Sequence, residues 1–483
     1  MQLTSIPLLR RCLIPAVALA LAACATPQPP QLAPAEVAIA WWAPPLAHQG
    51  KPQDLATWWS RFDDPLLADW MAQAQQRSPN VAAARAQVFA ARAALVGAEQ
   101  QGRPQMAGVL SGSRAFTDPT TPVATVLSAG VQASWAMALW GEDASRVSAA
   151  QAQQDAAGAA WHEARVLVAA ETAQTYFGLR LCREQLAVAR ADTDSRQRTA
   201  DANGITEKAG LTAPAVAALA RASAAESAGR LAQWGELCER QLKSLTALTG
   251  VPEPTLRAGL AQAPQWETPA DHLLQVPAVP ADLLRQRPDV YRAQRQWVSA
   301  AQAVGLAQAA LRPSLSLSGN LMVNRVRAAG VSATVDTWSL GPLTLSVPLL
   351  GRDRLHAEVD AAQAQLDAAA VAYQAVVRQA VSEVEQSLVS LAAVRDRASS
   401  AALAVVGYRR SLEGTTSRYQ AGLASLNELE EARRWVLAAD NAALSLRQEQ
   451  LAAWVRLYLA LGGGFEPGAA SDRAQQPIVR DAS

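Results

Sequence analysis

The sequence predicts a mixed α+β membrane protein made of two tandem repeats, each a transmembrane β-hairpin joined to a pair of long helices. Three observations carry that prediction. An ordered set of motifs recurs after about 210 residues, several segments alternate with a period of two, and two proline-free runs are far longer than a globular helix.

The clearest stretch is Arg287 to Asn320, RPDVYRAQRQWVSAAQAVGLAQAALRPSLSLSGN. Pro288 suits the first turn of a helix, where its missing N–H costs nothing. An Ala-rich run follows, and Arg312-Pro313 ends it. Leu315, Leu317, Leu321 and Val323 then alternate with Ser314, Ser316, Ser318 and Asn320, the mark of a strand with one apolar and one polar face. The same phrase occurs 209 residues earlier. Pro79-Asn80-Val81 answers Pro288-Asp289-Val290, and Arg103-Pro104 answers Arg312-Pro313. Gly141, Gly210 and, more loosely, Gly250 answer Gly351, Gly422 and Gly462 at offsets of 210 to 212. Matches in this order argue for a duplicated unit of short helix, strand, turn, strand, long helix, turn and long helix.

Around these units the chain divides by composition. Residues 1–23 read as an export signal, with Arg10 and Arg11 before an apolar run, Leu13 to Leu21, too short to span a bilayer. Leu21-Ala22-Ala23-Cys24 resembles a bacterial lipoprotein signal, which makes Cys24 the lipidated first residue of the mature chain. Ala25 stands where an inner-membrane lipoprotein commonly has Asp, so the outer membrane is the expected address. Residues 24–57 form a proline-rich, lipid-anchored tether. Repeat 1 takes 58–250, with its β-hairpin at about 104–140 and its helical hairpin at about 141–250. A linker, 251–284, leads to repeat 2 at 285–464, with a β-hairpin at about 313–350 and a helical hairpin at about 351–464. The tail, 465–483, is expected to be disordered.

The strands carry a physical demand. In the first pair, Val131, Ala133, Trp135, Met137 and Leu139 alternate with Gln132, Ser134, Ala136 and Ala138, after a turn at Thr117 to Pro122. In the second pair, Ser314 to Val323 is followed by Trp338 to Leu350. About ten alternating residues suit a transmembrane strand, although a soluble sandwich has the same pattern. Four strands cannot close a barrel, for which about eight are needed. An open edge in lipid leaves backbone groups unpaired at several kcal/mol each. Membrane-spanning strands therefore require oligomerisation: two copies supply eight, three supply twelve. Pro342 and Pro348 must lie at strand ends or bulges.

From Arg352 to about Tyr419 there is no proline, and roughly 60 helical residues reach about 90 Å. An apolar track runs through Leu355, Val359, Ala362, Leu366, Ala370, Tyr373, Val377, Val381, Val384, Leu388 and Leu391. Its period of 3.6 predicts nearly straight helices rather than a tight heptad supercoil. Cys182 and Cys238 fall on opposite arms of the first helical hairpin, in an export compartment that permits disulfides. A bridge and two buried thiols both remain open.

The net charge of +1 and the lack of a basic cluster give no reason to expect nucleic acid. His48, His162, His272 and His356 are scattered, with no metal-ligand spacing. No nucleophile elbow, phosphate loop or dinucleotide fingerprint occurs, so no enzyme is expected. The informative polar cluster follows the second helical turn. Glu428 and Glu431 share a helix face, and Glu430 stands four residues before Arg434. The first unit has Val216 and Leu219 where the second has Glu428 and Glu431.

Together these residues resemble the TolC/OprM-like outer-membrane factors, in the lipoprotein branch that serves RND-type efflux systems. The resemblance rests on Leu21 to Cys24, Arg287 to Val290, Arg312 to Leu317, Trp338 through Gly351, Ala421 to Ser425 and Leu457 to Gly464. It spans almost the whole mature chain. It implies a homotrimer whose strands form a 12-stranded β-barrel in outer-membrane lipid, continued by a periplasmic α-helical barrel. The implied role is a passive duct carrying small molecules from a periplasmic adaptor and an inner-membrane RND-type pump across the outer membrane. No cofactor is implied beyond the lipid on Cys24. The resemblance also implies a periplasmic gate, here Glu428, Glu431 and Arg434. Adaptor docking would use the turns Gly210, Leu211, Thr212 and Ala213, and Gly422, Leu423, Ala424 and Ser425. The alternatives are a type I secretion duct and a non-pore periplasmic coiled-coil lipoprotein.

Overall fold

A computed structural model describes residues 58–62, 64–116, 123–262 and 287–465. The export signal, Cys24 and its tether, the turn at 117–122, most of the linker and the tail from 466 lie outside the described residues. The chain divides into two compact units, and each unit draws on both sequence repeats. Of the described residues, the first unit holds Gln87–Ala157 and Arg292–Gln374, and the second holds the rest.

Repeat 1 contributes α1 (Pro65–Arg77), α2 (Pro79–Gln101), β1 (Gln105–Ala115), β2 (Ala124–Met137), α3 (Glu142–Lys208) and α4 (Pro214–Thr249). A short α5 (Glu253–Gln262) follows. Repeat 2 contributes α6 (Pro288–Ala309), β3 (Ser314–Ala328), β4 (Val331–Ser346), α7 (Arg352–Gln420) and α8 (Leu426–Ala460). The duplication is visible in the backbone. Gly141, Gly210 and Gly250 and their partners Gly351, Gly422 and Gly462 all have positive φ, where a side chain would strain the turn.

The first unit holds a four-stranded antiparallel sheet in the order β1-β2-β3-β4, so β2–β3 pairing joins the two hairpins. The strands run 11, 14, 15 and 16 residues, longer than the alternation alone indicated. β4 begins at Val331, not Trp338, and ends at Ser346, not Leu350. Ala329 and Gly330, both at positive φ, close a two-residue turn that composition did not flag. Pro348 cannot donate to a ladder, and the strand stops before it. Pro342 sits at the register shift opposite Leu317 to Gly319, so it costs the ladder little. Beside the sheet, Trp297, Ala301 and Val304 of α6 pack on Leu366 of α7, with Tyr373 stacked on Trp297. All eleven residues of the predicted α7 track are buried or half-buried, including those that continue into the second unit.

The core of the second unit gathers Trp58, Phe62, Leu67 and Trp70 with Tyr176, Phe177, Leu245, Leu388, Trp454 and Tyr458. The Asp64-Pro65 pair starts α1. Pro65 stands at the first helical position, and the Asp64 carboxylate accepts from the amides of Leu66 and Leu67. The same carboxylate accepts from the Tyr176 hydroxyl, which also accepts from Arg180 Nη1 at 2.9 Å. Burial, then the hydrogen bond to Asp64, holds that phenol well above its ordinary pKa.

The return helices end alike. Arg77 donates to the Thr249 carbonyl at the end of α4 (3.1 Å), and Arg287 donates to the Ala460 carbonyl at the end of α8 (2.7 Å). Each arginine precedes the proline that opens its repeat's first Ala-rich helix, and each satisfies a carbonyl that the helix itself cannot. Phe465, grouped with the tail by sequence, is buried against Ala159, with Tyr291 and His162 around it.

Candidate functional site

The strand and turn residues singled out by the sequence fall in two regions: the sheet of the first unit and the helical turns of the second.

In the sheet, register decides which side chains share a face. Met137, Leu315 and Leu345 form one row, and Trp135, Leu317 and Leu343 the next. Val131, Leu321 and Trp338 form another, with Leu110, Ala129 and Val323 beyond it. This apolar face is open: Leu110, Trp338 and Leu340 are 83%, 78% and 80% exposed. The opposite face carries Ser128, Asn324 and Thr337, linked by hydrogen bonds of 2.7 and 2.9 Å. An exposed apolar face backed by a hydrogen-bonded polar face is the arrangement a barrel wall needs in lipid. A soluble sandwich would bury the apolar face, so the exposure separates the two readings left open by the alternation. Among the described residues, β1 and β4 each leave an edge unpaired. At the end of the sheet nearer the helices, Trp135 Nε1 donates to the Gly102 carbonyl (3.0 Å). There Trp140 Nε1 donates to the Pro313 carbonyl (2.7 Å), with Arg312 stacked over its ring. Such tryptophans suit the interface between hydrocarbon and water.

In the second unit, the two helical turns are built alike. Gly210 donates to the Glu207 carbonyl and Leu211 to that of Thr206 (3.0 and 2.8 Å). Gly422 and Leu423 donate to Tyr419 and Arg418 at the same two distances. Both turns satisfy the last carbonyls of a long helix through a left-handed glycine. Each presents a leucine to solvent, Leu211 at 80% and Leu423 at 71% exposed.

The helix starts beyond the turns differ. Ser425 caps α8 with a full capping box: its Oγ accepts from the Glu428 amide, and Glu428 Oε2 accepts from the Ser425 amide at 2.7 Å. These hydrogen bonds from the Ser425 backbone and side chain hold the Glu428 carboxyl below its usual range. Ala213 starts α4 with no side-chain cap. On the first turn, Thr212 meets the Thr206 hydroxyl at 2.7 Å. Ala424 occupies the position equivalent to Thr212 in the second turn.

The structure separates the predicted acidic cluster by environment. Glu428 is exposed and occupied in the cap, with Arg418 at 3.6 Å. Glu431 and Arg434 are exposed and make no hydrogen bond or ion pair with another described residue. The i, i+4 pair of Glu430 with Arg434 does not form. Glu430 is buried and accepts from Arg196 Nη1 (2.8 Å), Ser223 Oγ (2.7 Å) and Arg433 Nη1 (2.8 Å). Arg196 is also buried and donates to Asp192 at 2.9 Å. This network ties α3, α4 and α8 together below the turns. Arg196 lies 234 positions from Glu430, so helical spacing could not reveal it. Cys182 and Cys238 are joined in a disulfide that links α3 to α4, closing the choice left open above.

The family model for outer membrane efflux proteins matches residues 70–251 and 279–463. The chain is 28% identical to the pyoverdine export outer membrane protein OpmQ of Pseudomonas aeruginosa, over 96% of this chain and 98% of that protein. It is 27% identical to nodulation protein T of Rhizobium leguminosarum bv. viciae, over 88% of each. Its fold is similar to the Campylobacter jejuni CmeC outer membrane channel, with a TM-score of 0.78 at 24% identity. That match covers 90% of this chain and 97% of the channel. The open state of the Neisseria gonorrhoeae MtrE outer membrane channel also matches at 0.78 and 22% identity, covering 91% of this chain and 99% of that one. The matched segments coincide with the two repeats and leave out most of the linker between them. An exposed apolar sheet face, duplicated hairpins and a family match across most of the chain agree: this protein belongs to the outer membrane efflux protein family, and it is the outer-membrane component of an efflux system.

Proposed function

We propose that three copies of the chain associate to form a closed twelve-stranded barrel, continued by a barrel of their long helices, and that the assembly is a passive duct. The observation that carries this reading is the four-stranded sheet. Its apolar face is open, and among the described residues β1 and β4 have free edges. Such a sheet is stable in lipid only when neighbouring copies pair those edges. A periplasmic coiled-coil lipoprotein without a pore would have no use for that face.

In this duct the second-unit turns face an adaptor. Gly210 to Ala213 and Gly422 to Ser425 present matched backbone geometry and the exposed Leu211 and Leu423, an apolar pair for a partner helix to cover. Energy comes from an inner-membrane pump joined through that adaptor, because nothing in a passive conduit supplies it. Glu431 and Arg434, exposed and unpaired among the described residues, act across protomer boundaries to narrow the duct, with Glu428 beside them. An acyl group on Cys24 holds the amino terminus to the membrane, and small molecules rather than proteins are the proposed cargo.

The purified protein should migrate as a heat-modifiable trimer that needs detergent for extraction. In planar bilayers, Glu428→Ala combined with Glu431→Ala should raise single-channel conductance. A monomer soluble without detergent would overturn the duct, and unchanged conductance would remove these two residues from the gate. Labelled palmitate should enter the wild-type protein and not Cys24→Ser; labelling of both would refute the anchor.

A further inference from the structure

The four charged residues of the sheet strands are not scattered. Register puts Arg114, Arg325, Arg327 and Asp336 on the apolar face, all at the hairpin end. Arg114 and Arg327 flank Thr125 in one row. Arg325 lies in the row beneath, beside Leu127, and Asp336 lies one row lower, opposite Val323. The three arginines are exposed, and none makes a hydrogen bond or ion pair with another described residue. From Leu315 to Arg325 is ten residues, about 33 Å along the strand. With the usual barrel tilt that rises about 25 Å, the height of the apolar band of an outer-membrane barrel. The guanidinium groups therefore fall where the hydrocarbon ends, on the side away from the helices, and point outward from the wall.

We infer that Arg114, Arg325 and Arg327 form a docking row for the phosphate groups of the phosphorylated glycolipid in the outer leaflet of the outer membrane. Strand spacing separates Arg114 from Arg327 by about 10 Å, and Arg325 and Arg327 lie about 7 Å apart along β3. Three forked donors at that spacing can engage two separate phosphate groups at once, whereas a lone snorkelling arginine grips only one. Asp336 leaves the row with a net positive charge and repels a phosphate set deeper, which fixes its depth. Three copies would carry three such rows.

The inference rests on the membrane-spanning reading, and the test separates the two. The full-length protein is reconstituted into phosphatidylethanolamine vesicles containing either lipid A or its dephosphorylated form. It is then extracted in mild detergent, and retained lipid is counted by native mass spectrometry. Wild type should retain the phosphorylated form, and the triple variant Arg114→Gln, Arg325→Gln, Arg327→Gln should lose roughly a hundredfold in retention. The triple lysine variant should keep most of it. Should the triple glutamine variant fail to assemble, Arg327→Gln alone should show a loss of about fivefold. Equal retention by wild type and the glutamine variants overturns the assignment, as does equal retention of the dephosphorylated lipid or of phosphatidylglycerol. Brominated acyl chains provide the control on the membrane reading: they should quench the part of the fluorescence that Trp338→Phe removes. Quenching without phosphate selectivity refutes the docking row alone; no quenching refutes the membrane-spanning face as well.

Discussion

Glu430 shows how one position can change meaning between chain and fold. In sequence it is one of five acids and bases at the start of a helix, ordinary for a solvated first turn. In the fold it is buried, with Arg196 and Ser223 from two other helices supplying its hydrogen bonds. Removing one partner of a buried pair leaves the other uncompensated, at a cost of about 3 kcal/mol or more. Glu430→Ala should therefore speed amide exchange through the first turns of α8, whereas Glu431→Ala should not; hydrogen exchange read by mass spectrometry checks this. Arg287 behaves similarly. Burial works against its charge, but Asp289 and Glu383 more than compensate, and its pKa lies above the ordinary value. Burial likewise pushes the Asp289 carboxyl up, and the two hydrogen bonds from Arg287 outweigh that and hold it below the usual range. A depressed carboxyl contributes stability that is present above its unfolded pKa, near 4, and is lost as pH falls through the folded value. Asp289→Asn should thus lower thermal stability at neutral pH and flatten its decline below about pH 4, as melting curves across pH would show. The motif Arg287-Pro288-Asp289 was legible as a helix start; its service to the end of α8 was not, because Ala460 is 173 residues away.

At the scale of elements, the long helices follow from what the chain omits. Without proline, α3 and α7 run 67 and 69 residues, and the 3.6-residue track on α7 marks its covered face. Their turns follow from Gly210 and Gly422. The two return helices then differ by one cap. Ser425→Ala should cost about 1 kcal/mol in local stability at the start of α8. Ala213→Ser should add a fraction of that to α4, since Ala213 already has the extended backbone a cap needs. Denaturation of the two variants measures both signs, and a loss at Ala213→Ser would show the site is not a cap. The strands were less legible. In the first half of β4, Val331, Ala333 and Val335 alternate with Ser332, Thr334 and Asp336, but on the face opposite Trp338, so the alternation changes phase midway and pairing with β3 defines the full strand. The same is true of the disulfide: both cysteines were visible, but only packing of α3 on α4 brings them 5.5 Å apart at Cα.

For the whole molecule, the decisive quantity is which face of the sheet meets lipid. A charge placed at mid-band on that face should be costly, and the same charge on the polar face should not. Leu321→Arg should destabilise the inserted barrel by about 2–4 kcal/mol and reduce the yield of heat-modifiable trimer. Gln132→Arg, one position from Val131 but on the opposite face, should leave the yield near wild type. Equal effects would mean that the apolar face is not the lipid face.

The sequence by itself determined the duplication, the helix lengths, the turn glycines and the existence of two-faced strands, because each is a local property of backbone conformation and side-chain period. It also carried the family resemblance that the family match then established. Only the tertiary structure decided which face of the sheet is exposed, which acid is buried and which arginine it pairs with, and that the sheet's charges collect at one end. Those outcomes depend on contacts between segments far apart in the chain, and no local pattern records them.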